Sequence, residues 1–62
     1  MIHLTRREKE CLTWEAAGKT AEVTAQLIGI SEHTVVFHRK NAVLKFGGCK
    51  LITAVAMAIA AG

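Results

Sequence analysis

The tightest constraint in this chain is the run Leu27-Ile28-Gly29-Ile30-Ser31, where a helical segment meets a glycine and then a helix-capping serine. Gly29 permits a sharp left-handed stop that side-chain-bearing residues resist. Ser31 offers an oxygen to the free N–H groups of a new helix. Two helices must therefore meet across a tight turn. The second of them, Ser31 to Phe46, reads SEHTVVFHRKNAVLKF and mixes two His, one Arg and two Lys with apolar residues. Helix, tight turn and basic helix together are the plan of a helix-turn-helix DNA reader.

The same punctuation recurs along the chain. Thr5 with Glu8 three residues on forms a capping box, and Gly18 is placed to end the helix that follows. Thr20 caps a second helix, in a box left incomplete by Val23, and Gly47-Gly48 stop the third. The expected fold is all-α, a compact four-helix bundle with helices at about 6–17, 21–28, 32–46 and 50–60, in one domain over 1–62. In helix 1, Leu12, Ala16 and Glu8 share a side, with Cys11 and Glu15 in the adjoining row, and Trp14 is expected half-buried. Val23 and Leu27 make an i, i+4 apolar pair on helix 2. Ile30 is expected to plug the core between helices 2 and 3. On helix 3, Val35, Ala42 and Phe46 form an inner row with Asn41 and Lys45 beside it. Val36, Arg39 and Lys40 are read as the outer face.

Size and charge narrow the function. A 62-residue chain is one small domain that buries only about 60% of its unfolded surface, so a partner copy or ligand would help it. Residues 1–32 hold four Lys/Arg and five Asp/Glu, whereas residues 33–62 hold four Lys/Arg and no acid. A basic half without carboxylates suits a polyanion. The apolar run Leu51–Ala61 has 11 residues, too few for the ~20 that span a bilayer. Two cysteines, Cys11 and Cys49, build no disulfide framework, and with no secretory signal ahead of them a reducing cytoplasm is expected. Cys11 is expected in the core and Cys49 as a loop thiol.

Catalysis and metal binding find little support. His33 and His38 are five residues apart, about 140° around a helix, and there is no Cys-x-x-Cys pair. A Cys–His nucleophile needs an orienting group and a pocket that so small a helical frame leaves little room for. The expectation is no enzyme and no metal. A reading helix needs long or forked donors on its exposed face, which Arg39 and Lys40 supply. Phosphate donors set register, and Ser31, Thr34, His38 and Lys45 suit that task, with Lys19 and Thr20 at the start of helix 2.

These residues resemble a known family. Leu4-Thr5-Arg6-Arg7-Glu8-Lys9-Glu10-Cys11-Leu12 is similar to the opening LTxREREVL of LuxR-type DNA-binding domains. Gly18-Lys19-Thr20 resembles their GKT or GKS, and Ile30 to Val35 resembles ISExTV. Phe37-His38, Lys40-Asn41-Ala42 and Lys45-Phe46-Gly47 resemble xHxKNAxxKLG, and Ala54-Val55-Ala56 the QAVA region. The spelling is most similar to quorum-sensing members, bacterial transcription regulators with a separate N-terminal domain for an acyl-homoserine lactone. The resemblance implies that this chain is the C-terminal part of a longer regulator and holds no cofactor of its own. It implies that Val36, Phe37 and Lys40 face bases, with Thr34, His38 and the helix 2 cap near phosphates. It also implies dimerisation through helix 4, which here falls to Leu51, Val55, Ala58 and Ile59. The implied partners are double-stranded DNA, a second copy and RNA polymerase, and no membrane.

The departures carry expectations too. Val23 and Thr24 stand where the family usually has Glu and Ile, which removes a capping box and brings a hydroxyl to a core position. Val36 replaces Asn, Lys or Arg and can offer a base only apolar contact, as with a thymine methyl. Gly48 replaces Val, Lys50-Leu51 replaces Asn-Arg, and Thr53 replaces Gln. A weakened reading face and an apolar helix 4 leave a second reading open, a dimerisation module that pairs with or inhibits a related regulator.

Overall fold

Each of the first three helices begins where a side chain can hold its free N–H groups. The computed structural model describes residues 2–48 and 50–61, the side chain of residue 61 excepted. Its helices are α1 (Arg6–Ala16), α2 (Ala21–Ile28), α3 (Glu32–Lys45) and α4 (Leu51–Ala61). All lie within a residue of the expected ends. Ala17 and Phe46 serve as C-caps rather than as last helical residues. Among the described residues there is no strand. Cys49, expected as a loop thiol, lies outside the described residues.

At α1 the capping box is complete. Thr5 Oγ1 accepts from the Glu8 N–H at 3.2 Å, and Glu8 Oε1 accepts from the Thr5 N–H at 2.9 Å. Thr20 Oγ1 accepts from the Val23 N–H, and Ser31 Oγ from the Thr34 N–H. Gly29 ends α2 at φ 72°, and the N–H groups of Gly29 and Ile30 both donate to the Ala25 carbonyl. After α3 the chain turns through Gly47 at φ 86° and Gly48 at φ 76°. A valine at position 48 would be strained in that left-handed conformation, so the glycine there suits the turn.

The core has two parts. Cys11, Ala25 and Val35 pack with Ala21, Ile28 and Ile30 at one end. Leu12, Ala42 and Val55 pack with Leu4, Phe46, Leu51 and Ala58 at the other. Neighbouring residues of α1, Cys11 and Leu12, thus enter different parts, and α3 contributes to both. α1 and α3 form the spine, α2 covers one end and α4 the other, and α2 does not touch α4 among the described residues. Ile30 takes the plugging position expected of it, and Trp14 is half-buried.

Packing chooses among the apolar stripes that the first two helices offer. Val23 and Leu27 are exposed, and α2 turns Ala21, Thr24, Ala25 and Ile28 inward instead. That set keeps the i, i+3, i+4, i+7 spacing of a buried face. The Thr24 hydroxyl is fully buried and donates to the Thr20 carbonyl at 2.8 Å, so it enters the core without an unpaired group. Ala16 shares a side with Leu12 but is exposed, lining an open apolar cleft of about 280 Å³ with Val55, Ala58 and Ile59.

On α4 the structure overturns an expectation. Leu51, Val55 and Ala58 were assigned to a dimer contact, yet they pack on the domain's own core. Only Ile59 of that set is exposed. Ile52, Ala56 and Ile59 line the outward face, with Met57 beside them. The register follows from Ala54 and Val55, both buried, which fix the rotation of α4 against α1 and α3.

Glu8 is buried to 4% exposure and carries the heaviest electrostatic load. Its Oε1 receives the Lys45 ammonium at 2.6 Å, and Lys45 also donates to the His3 carbonyl at 3.0 Å. Burial pushes the Glu8 carboxyl up. The hydrogen bonds and charge of Lys45 and the Thr5 N–H outweigh that and hold it below its ordinary 4.5. A lowered folded value means a stability contribution that is full above the unfolded value and lost as pH falls through the folded one. Urea unfolding at a series of pH values should show this loss below about pH 4.5. Glu8→Gln should be about 1–3 kcal/mol less stable at neutral pH and show a flatter acid limb.

Candidate nucleic-acid interface

An α-helix turns 100° per residue, so the outward stripe of α3 can be read from its exposed positions. His33, Phe37, Lys40 and Leu44 fall within about 60° of one another, with Val36 beside them. Val36, Phe37 and Leu44 are 50%, 56% and 60% exposed. Lys40 stands among them with its ammonium in water. The Phe37 ring meets the half-buried His38 ring edge-on at 5.7 Å between centroids. His33 and Leu44 were missed as members of this stripe. The signal that finds them is their spacing of four from Phe37 and Lys40.

Arg39 is not on the outer face. It follows Val35 by four residues, which is only about 40° around the helix, so it shares the inner side. Its Nη2 lies 2.9 Å from Glu15 Oε2 of α1 and donates to the Lys19 carbonyl at 3.2 Å. The side chain is 13% exposed. Lys45 is likewise turned to Glu8 and His3 rather than to an external phosphate. The assignment of Arg39 to bases and of Lys45 to phosphates therefore does not fit their positions. Both are used to hold α3 against α1.

The remaining phosphate candidates are better placed. Lys19, Thr20 and Ser31 are exposed at the starts of α2 and α3, and Thr34 is half-buried with its Oγ1 2.7 Å from Ser31 Oγ. Thr20 uses its oxygen as a cap and keeps a hydroxyl proton that can point to an anion, and the bonded Ser31 and Thr34 hydroxyls keep one such proton between them. The first-turn N–H groups of both helices add to the same field. Glu22 and Glu32 oppose it from those first turns.

The charge pattern separates two faces. Glu10 takes Arg6 at 3.4 Å and Arg7 at 3.5 Å, and Glu15 and Glu8 take Arg39 and Lys45. Among the described residues, Lys9, Lys19, Lys40 and Lys50 have no carboxylate within ion-pair distance. Cys11 is buried beneath Arg39, and burial pushes its thiol up, although the nearby guanidinium opposes this. Such a thiol is a core group rather than a nucleophile. Among the described residues no three His, Cys, Asp or Glu side chains come together as a metal site would need. No described helix is long and apolar enough to cross a membrane.

Known proteins are similar to this chain. The family described as bacterial regulatory proteins, luxR family, matches residues 3–58. The chain is 44% identical over 61 residues to the transcriptional activator protein AnoR of Acinetobacter nosocomialis, covering 98% of this chain and 26% of that protein. It is 48% identical over 59 residues to SolR of Ralstonia solanacearum, covering 95% and 25%. It is 41% identical over 59 residues to LuxR of Aliivibrio fischeri, covering 95% and 24%. SolR and LuxR are also transcriptional activator proteins. The chain thus spans about a quarter of the length of these relatives. No solved structure matches it at a significant level.

The two cations side by side on α3 should behave oppositely. Arg39→Met leaves Glu15 without its partner and should cost about 1–3 kcal/mol in urea unfolding. Lys40→Met touches only solvent and should stay within about 0.5 kcal/mol.

Proposed function

Because the chain belongs to the luxR family of bacterial regulatory proteins, as a LuxR-type helix-turn-helix DNA-binding domain, we propose that it is the DNA-reading end of a quorum-sensing transcription activator. The single observation that carries this reading is the α3 stripe of His33, Val36, Phe37, Lys40 and Leu44. It stands clear of the core and is flanked by the exposed starts of α2 and α3. The major groove admits a helix, and such a stripe meets base edges while Lys19, Thr20 and Ser31 meet phosphate. Lys40 donates to bases, and Val36 and Phe37 give apolar contact. Thr34 and His38 border the phosphate side. The family and the named activators favour this reading over a module that only pairs with another regulator.

The protein acts as a homodimer on a two-half-site promoter, with the outward face of α4, Ile52, Ala56 and Ile59, as the contact between copies. Support for this lies in the three apolar side chains at i, i+4 and i+7 that the domain's own core leaves uncovered. RNA polymerase is its partner in activation. An acyl-homoserine lactone is sensed by a separate domain, and no residue of this chain is assigned to it. The work is done where the DNA is, in the bacterial cytoplasm.

Affinity for duplex DNA should fall as salt rises, with log K declining by about 0.9 per phosphate neutralised for each tenfold rise in salt. Lys19→Ala should weaken all sequences alike and reduce that slope by about 1, whereas Lys40→Ala should relax base preference and cost about 1–3 kcal/mol. A flat salt response in fluorescence anisotropy would overturn the proposal. For α4, sedimentation should show Ile52→Glu and Ile59→Glu favouring monomer with helicity intact. Val55→Ala, a core change, should cost stability of about 1–3 kcal/mol.

A further inference from the structure

The outer stripe of α3 is an unusual reading surface in one respect. Of its five side chains, three are hydrocarbon, and Val36, Phe37 and Leu44 leave half or more of their surface in water. α3 carries three cations, but Arg39 and Lys45 are held by Glu15 and Glu8. Lys40 and the imidazole of His33 are left as the long or ring donors on the stripe. A surface so poor in donors cannot satisfy the paired acceptors that a guanine-rich groove presents. Acceptors buried without partners are costly. The one apolar feature of the major groove is the C5 methyl of thymine.

Resting on the DNA-binding reading above, we propose that α3 recognises its site through thymine methyl groups seated against Val36 and Phe37, with Lys40 as the accompanying polar contact. The group sensed is the methyl at C5, which 5-methylcytosine carries in the same groove position. The site is therefore rich in thymine under the N-terminal half of α3. Cytosine methylation at those positions strengthens binding instead of blocking it. The neighbouring edge contact of His38 limits the freedom of the Phe37 ring.

The test uses the 62-residue chain and duplexes selected from a random pool at low salt. Each thymine in the selected half-site is replaced in turn by deoxyuridine, which keeps every donor and acceptor and removes only the methyl. At one or two positions the replacement should weaken binding about fourfold, the effect of one buried methyl. With a cytosine–guanine pair placed at the same positions, 5-methylcytosine should bind more tightly than cytosine by a similar factor. Val36→Ala should abolish the thymine–deoxyuridine difference at one position, and Phe37→Ala at the adjacent one, if there are two. Melting and helicity should be unchanged, because both side chains are exposed. Tight, salt-dependent binding with equal affinity for thymine and deoxyuridine at every position would overturn the methyl reading and leave DNA binding standing. It would assign the apolar stripe to a protein contact. A selected site without thymine would overturn it likewise. Failure to retain any duplex at low salt would overturn the DNA-binding reading as well.

Discussion

The Glu8 carboxylate is the point on which the rest of the structure depends. It is buried, it closes the capping box of α1, and it receives the ammonium of Lys45 from the far end of α3. One side chain thus starts the first helix and fixes where the third one ends. A lone buried charge would be strongly unfavourable, and removing Lys45 would leave it so. The Arg39–Glu15 pair makes a second tie between the same helices, closer to the N-terminus of α3. α3 is held at two heights along its length, and that rigidity presents its outer stripe in one orientation.

Holding α3 in this way has a consequence for recognition. Two of its three cations face α1, and the outward stripe is left mostly hydrocarbon with a single ammonium. Lys19 and the starts of α2 and α3 are exposed as well. α4 shows a related division of labour. Its inner face completes the core through Ala54 and Val55, and its outer face leaves Ile52 and Ile59 exposed.

α2 shows how a departure from the family's usual spelling is accommodated. A threonine at a core position is tolerated because its hydroxyl donates to the carbonyl one turn back. Val23 leaves the cap of α2 with a single side-chain bond, and the helix relies on Ala25, Ile28 and the Gly29 stop to keep its place. Gly48 is likewise matched to its left-handed conformation.

Local chemistry alone determined where each of the first three helices starts and stops. Thr5, Thr20, Ser31, Gly29 and Gly47 act through atoms a few residues away, so their effect can be read directly from the order of residues. Val35, Ala42 and Ile30 were legible as core because apolar residues at helical spacing have one place to go. The rotation of each helix was not legible. Val23 and Leu27 are an apolar pair that α2 turns outward, and Leu51, Val55 and Ala58 looked like an outer face of α4, because several apolar stripes were available and only packing selects among them. Whether Arg39 and Lys45 point to DNA or to Glu15 and Glu8 also depended on tertiary structure. An ion pair between residues two dozen or more apart in the chain depends on where two helices are brought together, and no local rule encodes that separation.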